Sequence, residues 1–94
     1  MFGKKKIELN GNEIRIITHA LINFRNDLIK QNQYTDALDD VLPHIKNKLK
    51  ADKYSLGVII NSLDFERKAM LNKEDDTSEI DDLLLRLLDI HKTL

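Results

Sequence analysis

Apolar residues recur at the spacing of an amphipathic helix in two long stretches, one after residue 10 and one after residue 52. On a wheel of about 100° per residue, each stretch gathers its apolar side chains on one face. Asn10 has the place of an N-cap residue with Glu13 three positions on, and Asp52 stands at the start of the second stretch. The pattern predicts two long helices, over about residues 11–31 and 53–73.

A shorter helix is predicted after each long one. The first has an apolar stripe made of Leu38, Val41, Leu42, Ile45 and Leu49. Pro43 lies inside it, where the missing N–H costs a hydrogen bond, so we expect a slight kink or a late helix start. The last helix has a stripe of roughly 160°, and Leu85 lies outside even that width. We therefore expect something to cover an extra face of the last helix.

The pattern of apolar and polar positions occurs twice, with an offset of 42 residues. The stretch Thr35 to Leu42 returns as Thr77 to Leu84, with the threonine, both aspartates and the final leucine in the same places. Upstream, Ile17, Leu21 and Arg25 fall on Ile59, Leu63 and Arg67. The sequence thus predicts an all-α fold, a four-helix bundle of two duplicated αα-hairpins related by a pseudo-two-fold axis. The expected domain spans residues 10–94, with repeats 10–51 and 52–94 and an extended tail over residues 1–9.

Composition narrows the class of protein. The chain has 94 residues and no cysteine, which fits one small domain and excludes disulfides and thiolate metal sites. It contains neither a secretory signal nor an apolar run of membrane-spanning length, so we expect a cytoplasmic protein. The load of Ile, Lys and Asn, whose codons are rich in A and T, indicates a bacterial or phage genome.

Charge is distributed unevenly along the chain. Residues 1–51 carry a net charge of +3 and residues 52–94 carry −4, against −1 for the whole chain. The basic excess comes from Lys4, Lys5 and Lys6, in the segment expected to be a tail beside the domain. A basic nucleic-acid face is therefore poorly supported by the sequence, and a solubilising tail is the simpler interpretation.

Two arginines fall within the apolar stripes. An unpaired guanidinium would be costly there, so Arg25 and Arg67 each need a carboxylate, and Asp39 and Asp81 stand at the stripe edge near the same end of each hairpin. The set predicts two structural ion pairs that fix the hairpins; an anion-binding site is the alternative.

No residue set matches a catalytic motif. The spacing Glu79-x-x-Asp82 resembles one half of the magnesium-binding motif of all-helical nucleotide pyrophosphohydrolases, but the ExxE partner is absent, since no acidic residue stands three positions from Glu66. Asp40 and His44 are four positions apart, without the remaining ligands of a metal site. We predict no catalytic residues, no metal, no cofactor and no small-molecule substrate.

The functional hypothesis is based on the broad apolar stripe of the last helix. Exposed apolar surface of this extent usually marks association. The expected partner-binding residues are Leu85, Leu88, Ile90, Ile16 and Val58. We expect a non-enzymatic protein-binding module, a homodimer or a binder of another protein, that acts as a regulator or inhibitor. The alternatives are a nucleic-acid-associated regulator that uses the lysine tail and, third, a metal-dependent hydrolase that uses the acidic cluster.

Overall fold

The computed structural model describes residues 3–94, and the chain in it is mostly helical, with four α-helices and one small sheet. Met1 and Phe2, the first residues of the predicted tail, lie outside this range. The elements in chain order are β1 (Lys5–Glu8), α1 (Gly11–Lys30), α2 (Asp36–Val41), a 3₁₀ turn (Leu42–His44), β2 (Lys48–Ala51), α3 (Lys53–Asn72) and α4 (Ser78–His91).

The two long helices begin at capping boxes. The Asn10 side chain accepts from the Glu13 amide at 2.8 Å, and the Glu13 carboxylate accepts from the Asn10 amide at 3.0 Å. Asp52 and Ser55 make the same reciprocal pair at the start of α3, at 2.8 and 3.1 Å. Each box satisfies amides that have no partner within the helix, which is why α1 and α3 begin where the sequence predicts.

The two long helices also end alike. The residue after each terminal turn, Asn32 or Glu74, has a left-handed backbone, with φ of 56° and 61°. The Gln33 amide reaches back to the Leu28 carbonyl at 2.9 Å, and the corresponding bond after α3 has the same length. These are Schellman-type ends, which reverse the chain sharply so that the next helix can pack back.

The segment expected to be a tail is part of the fold. β1 pairs with β2 in an antiparallel ribbon, with Ile7 opposite Leu49 and Lys6 opposite Lys50. Ile7 and Leu9 are 3% and 4% exposed and belong to the hydrophobic core. The domain therefore includes residues before Asn10, and the prediction of a tail beside it is wrong for β1.

The second helix is shorter than predicted. α2 ends at Val41, and Pro43 lies in the 3₁₀ turn that follows. Proline cannot donate to the preceding turn, so the chain leaves the α-helix and becomes extended at Ile45, with ψ of 108°. Leu49, expected on the stripe of this helix, instead lies buried on β2.

The core lies between the ribbon and the four helices. α1 and α3 pack against each other, and α2 and α4 both contact α3. Where the long helices meet, Phe24 stacks on Phe65 with ring centroids 5.0 Å apart, and the Asn23 amide donates to Glu66 at 3.0 Å. Within residues 3–94, no helix is both long enough and apolar enough to cross a membrane.

Candidate functional site

The structure brings each predicted arginine and aspartate together. Arg25 Nε donates to Asp39 Oδ1 at 2.6 Å, and Arg67 Nε donates to Asp81 Oδ1 in the same way. Both pairs are partly exposed rather than sealed in the core, with 37% to 43% of each side chain accessible. Each joins a long helix to the start of the helix that follows, which is the placement of a brace within a hairpin.

A threonine completes each pair. The Thr35 hydroxyl donates to Asp39 Oδ2, and the Thr77 hydroxyl donates to Asp81 Oδ2, both at 2.8 Å. These hydroxyls, followed by the guanidinium groups, hold the pKa of both carboxyl groups below the ordinary value of 3.8. The carboxylate beside each guanidinium offsets its positive charge and would repel a bound anion, which disfavours the alternative of an anion site at the arginines.

Acid titration should reveal these braces. Because the folded-state pKa of Asp39 and Asp81 is lowered, their contribution to stability is present above pH 3.8 and is lost as the pH falls through the folded-state values. We expect a double Asp39→Asn, Asp81→Asn variant to lose less of its free energy of unfolding than the parent between about pH 5 and pH 2. Urea unfolding across that range measures it; an equally steep acid limb in the variant would show that the braces do not contribute.

The predicted apolar face is mostly covered. Ile90 on α4, Ile16 on α1 and Val58 on α3 are half-buried and pack against the core. Leu85 and Leu88 are exposed, at 64% and 40%, and stand one turn apart on α4. Part of the broad apolar stripe of α4 is therefore buried in the core, and part of it is the exposed pair Leu85 and Leu88.

α4 is fastened to the start of the chain by its arginine. The Arg86 guanidinium donates to the Glu13 carboxylate at 2.9 Å and to the Glu8 carbonyl at 2.8 Å. Asn12 on α1 also donates to Glu79 near the start of α4, at 2.8 Å. These contacts connect the last helix with both β1 and α1.

The acidic cluster does not converge on a cation. Asp76 accepts from the Ser78 hydroxyl at 2.6 Å, while Glu79 and Asp81 are bonded to Asn12 and Arg67. Among residues 3–94, no three His, Cys, Asp or Glu side chains are placed to hold a metal ion. The carboxylates act as caps and braces for the helices, as their positions in the first turn favour.

A groove of about 810 Å³ runs between α1 and the second half of α3. Its charged lining residues have both signs: Arg15, Lys30 and Lys73 are basic, and Asp27, Glu66, Asp75, Asp76 and Glu79 are acidic. Glu66 and Glu79 already accept from asparagines of α1. This mixed lining selects no one class of ligand.

One charged surface is brought together only by the sheet. In β1 and β2, Ile7 and Leu49 point into the core, so Lys6, Glu8, Lys48 and Lys50 point outward by the alternation of a strand. Lys4 and Lys46 precede the strands with the same parity, and together with Lys50 they line a second groove of about 340 Å³. We call the five outward lysines the lysine face: Lys4, Lys6, Lys46, Lys48 and Lys50.

The lysine face has little internal compensation. All five side chains are exposed, and none forms a salt bridge within residues 3–94. Lys6 stands directly opposite Lys50, an arrangement of like charges that disfavours the ribbon. Its acidic neighbours are Glu8, opposite Lys48, and Asp40 and Asp52, which line the second groove together with Lys4, Lys46 and Lys50. With five lysines against these three carboxylates, the face is basic.

Sequence reasoning missed this surface because its halves lie far apart in the chain. The sequence pattern places Lys4 to Lys6 in a tail beside the domain and residues 46–50 in the helix whose apolar stripe ends at Leu49. The available signal was alternation: Lys-Ile-Glu-Leu at residues 6–9 and Lys-Leu-Lys-Ala at residues 48–51 both have the period of a strand.

Comparisons of the chain with protein-family models, with curated proteins and with solved structures gave no match.

Proposed function

We propose that the protein is a non-enzymatic nucleic-acid-binding module that contacts its partner through the lysine face. The observation that carries the proposal is the set of five exposed lysines on one sheet face, without salt bridges inside residues 3–94. Phosphate backbones are the polyanions for which such a face is complementary, and each phosphate neutralised releases counterions. A nucleic-acid partner also fits the cytoplasmic location expected from the sequence.

The overall charge of −1 does not oppose this function, because binding depends on the local excess of lysines on the face and part of the acidic charge lies elsewhere. α1 and α3 have 20 residues each and start beside the ribbon, so each extends roughly 30 Å away from it. The acidic residues that follow α3, Glu74, Asp75 and Asp76, lie at that far end. At that distance, beyond the screening length of physiological salt, this acidic run does not repel a polyanion held at the lysine face.

Fluorescence anisotropy of a labelled duplex, titrated with the intact protein at several salt concentrations, tests the proposal. Three to five lysines on phosphates predict a slope of log affinity against log salt of about −3 to −5. The double variant Lys4→Gln, Lys46→Gln should bind more weakly and lower the steepness by about two. Lys68→Gln on α3, combined with Lys73→Gln just after it, removes the same charge away from the face and should leave the slope unchanged. No binding at low salt would contradict the proposal.

We further propose that the fold arose by tandem duplication and has a pseudo-two-fold axis. With an offset of 42 residues, the cross-strand pair Ile7–Leu49 maps onto itself. The contact of Asn23 with Glu66 maps onto that of Phe65 with Phe24. The paired capping boxes, helix ends and Arg–Asp braces follow the same offset. These correspondences support a two-fold relation between residues 10–51 and 52–94 and extend it to β1 and β2.

Self-association through α4 is the second candidate function, favoured by the exposure of Leu85 and Leu88. Two copies could pair these leucines across a two-fold axis. If so, the parent protein should elute as a dimer by size-exclusion chromatography with light scattering, and Leu88→Glu should give a folded monomer. Ile22→Glu on α1, with a similar exposure of 43%, is the matched control and should leave the dimer intact. A parent protein that is monomeric at high concentration would dismiss the dimer.

A further inference from the structure

We infer that the lysine face enters the major groove of duplex DNA, where Lys6 and Lys50 contact guanine and the outer lysines contact phosphates. This inference rests on the proposed nucleic-acid function and adds the kind of nucleic acid, the groove and the division of labour among the lysines. It starts from the shape of the sheet. Two antiparallel strands lie about 5 Å apart, and the major groove of B-form DNA, about 12 Å wide, admits a two-stranded ribbon.

The position of each outward residue suggests its role. Lys6 and Lys50 stand opposite each other within the ribbon, next to the Ile7–Leu49 pair about which the two halves are related. In the docked arrangement that we infer, these two central side chains would reach the floor of the groove. A lysine ammonium is a pure donor, and in the major groove guanine offers two acceptors, N7 and O6. Lys4 and Lys46 lie beyond the ends of the strands, where the phosphates that border the groove would be met.

The face is chemically unsymmetrical. By the offset of 42 residues, Lys6 corresponds to Lys48, but Lys50 corresponds to Glu8. One half of the ribbon therefore presents two opposed lysines, and the other half presents Lys48 opposite Glu8. A carboxylate repels phosphate and, among major-groove groups, accepts from the cytosine amino group. This asymmetry predicts that the protein binds with a defined direction, with guanines placed under the pair Lys6 and Lys50.

Other nucleic acids fit the face less well. Single strands are usually held by successive bases stacked on several aromatic rings. None of the outward residues Lys6, Glu8, Lys48 and Lys50 is aromatic, and the groove beside them is lined by a single Phe, Tyr or Trp ring, that of Tyr54. Duplex RNA has a deep, narrow major groove that side chains cannot read. The absence of apolar side chains among the same four residues also disfavours insertion into a lipid surface.

Anisotropy titrations of the intact protein with four probes test the inference. The probes are a guanine-rich DNA duplex, the RNA duplex and the single-stranded DNA of the same sequence and length, and the DNA duplex with 7-deazaguanine, which lacks the N7 acceptor, in place of guanine. We expect the DNA duplex to bind at least about tenfold more tightly than the RNA duplex or the single strand. The deazaguanine duplex should lose about tenfold, the scale of one good base contact.

Variants separate base contacts from phosphate contacts. Lys6→Gln with Lys50→Gln should remove the difference between the guanine and deazaguanine duplexes. Lys46→Gln should weaken both duplexes by the same factor. Far-ultraviolet circular dichroism verifies that each variant is folded, and because all three lysines are exposed we expect no change.

The alternative results have distinct meanings. Equal, lysine-dependent affinity for the DNA and RNA duplexes, or tighter binding of the single strand, would overturn entry into the major groove but leave the proposed nucleic-acid function standing. Equal affinity for the guanine and deazaguanine duplexes would overturn the guanine contact. No binding to any probe at low salt would overturn both the inference and the function on which it rests.

Discussion

Replacement of Ile7 by alanine should lower the free energy of unfolding by about 2 to 5 kcal/mol. The side chain is 3% exposed, it lies opposite Leu49 in the ribbon, and it belongs to the core cluster. Removing buried methyl groups costs their transfer free energy and leaves a cavity that the surrounding helices fill only in part. Urea unfolding followed by circular dichroism measures the loss.

The neighbouring residue supplies the control for this prediction. Lys6 lies on the same strand but points outward, and Lys6→Ala should change the stability by no more than about 0.5 kcal/mol. A fragment of residues 10–94 should be destabilised more than Ile7→Ala, because it lacks both Ile7 and Leu9 and leaves β2 unpaired. Cooperative folding of that fragment with the stability of the whole chain would show that β1 is dispensable.

The second large effect concerns the matched leucines of the long helices. Leu21 and Leu63 are both fully buried, at 0% exposure, one on α1 and one on α3. Leu21→Ala and Leu63→Ala should each cost about 2 to 5 kcal/mol. The costs should also be similar, within roughly 1 kcal/mol, if the two hairpins are related by duplication, because a two-fold relation gives both leucines corresponding surroundings.

Another matched pair provides the comparison. Ile29 and Leu71 are separated by the same offset, and they are 49% and 47% exposed. Their replacement by alanine should cost less than about 1 kcal/mol each, since little apolar area is lost. Very unequal costs at Leu21 and Leu63 would count against the duplicated architecture.

The parts of the fold that depend on local sequence could be predicted. Long runs at helical spacing, bounded by Asn10 and Asp52, define α1 and α3 to within about a residue of their starts. The partners Arg25 with Asp39 and Arg67 with Asp81 could be named because the hairpin brings residues 14 positions apart into reach. In these cases, local spacing determines which atoms meet.

The parts of the fold that depend on pairing between distant segments could not be predicted from the sequence. A strand of four residues with one or two buried side chains carries almost no periodic signal, and Leu49 also fits a helical stripe. Pro43 is unfavourable inside a helix, but whether the chain kinks or leaves the helix depends on the availability of β1 as a partner for β2. The lysine face exists only once that pairing is made.

Two charge reversals of opposite sign test the central claim that the lysine face binds nucleic acid. Lys50→Glu converts the opposed lysines into an opposite-charge pair, and Glu8→Lys converts the Glu8–Lys48 pair into like charges. The account predicts that Lys50→Glu raises stability by roughly 0.2 to 1 kcal/mol. The same variant should weaken binding to a DNA duplex at least about tenfold. Glu8→Lys should do the reverse, binding more tightly with a slightly less stable fold. If both variants bind the duplex as the parent does, the face is not the binding surface.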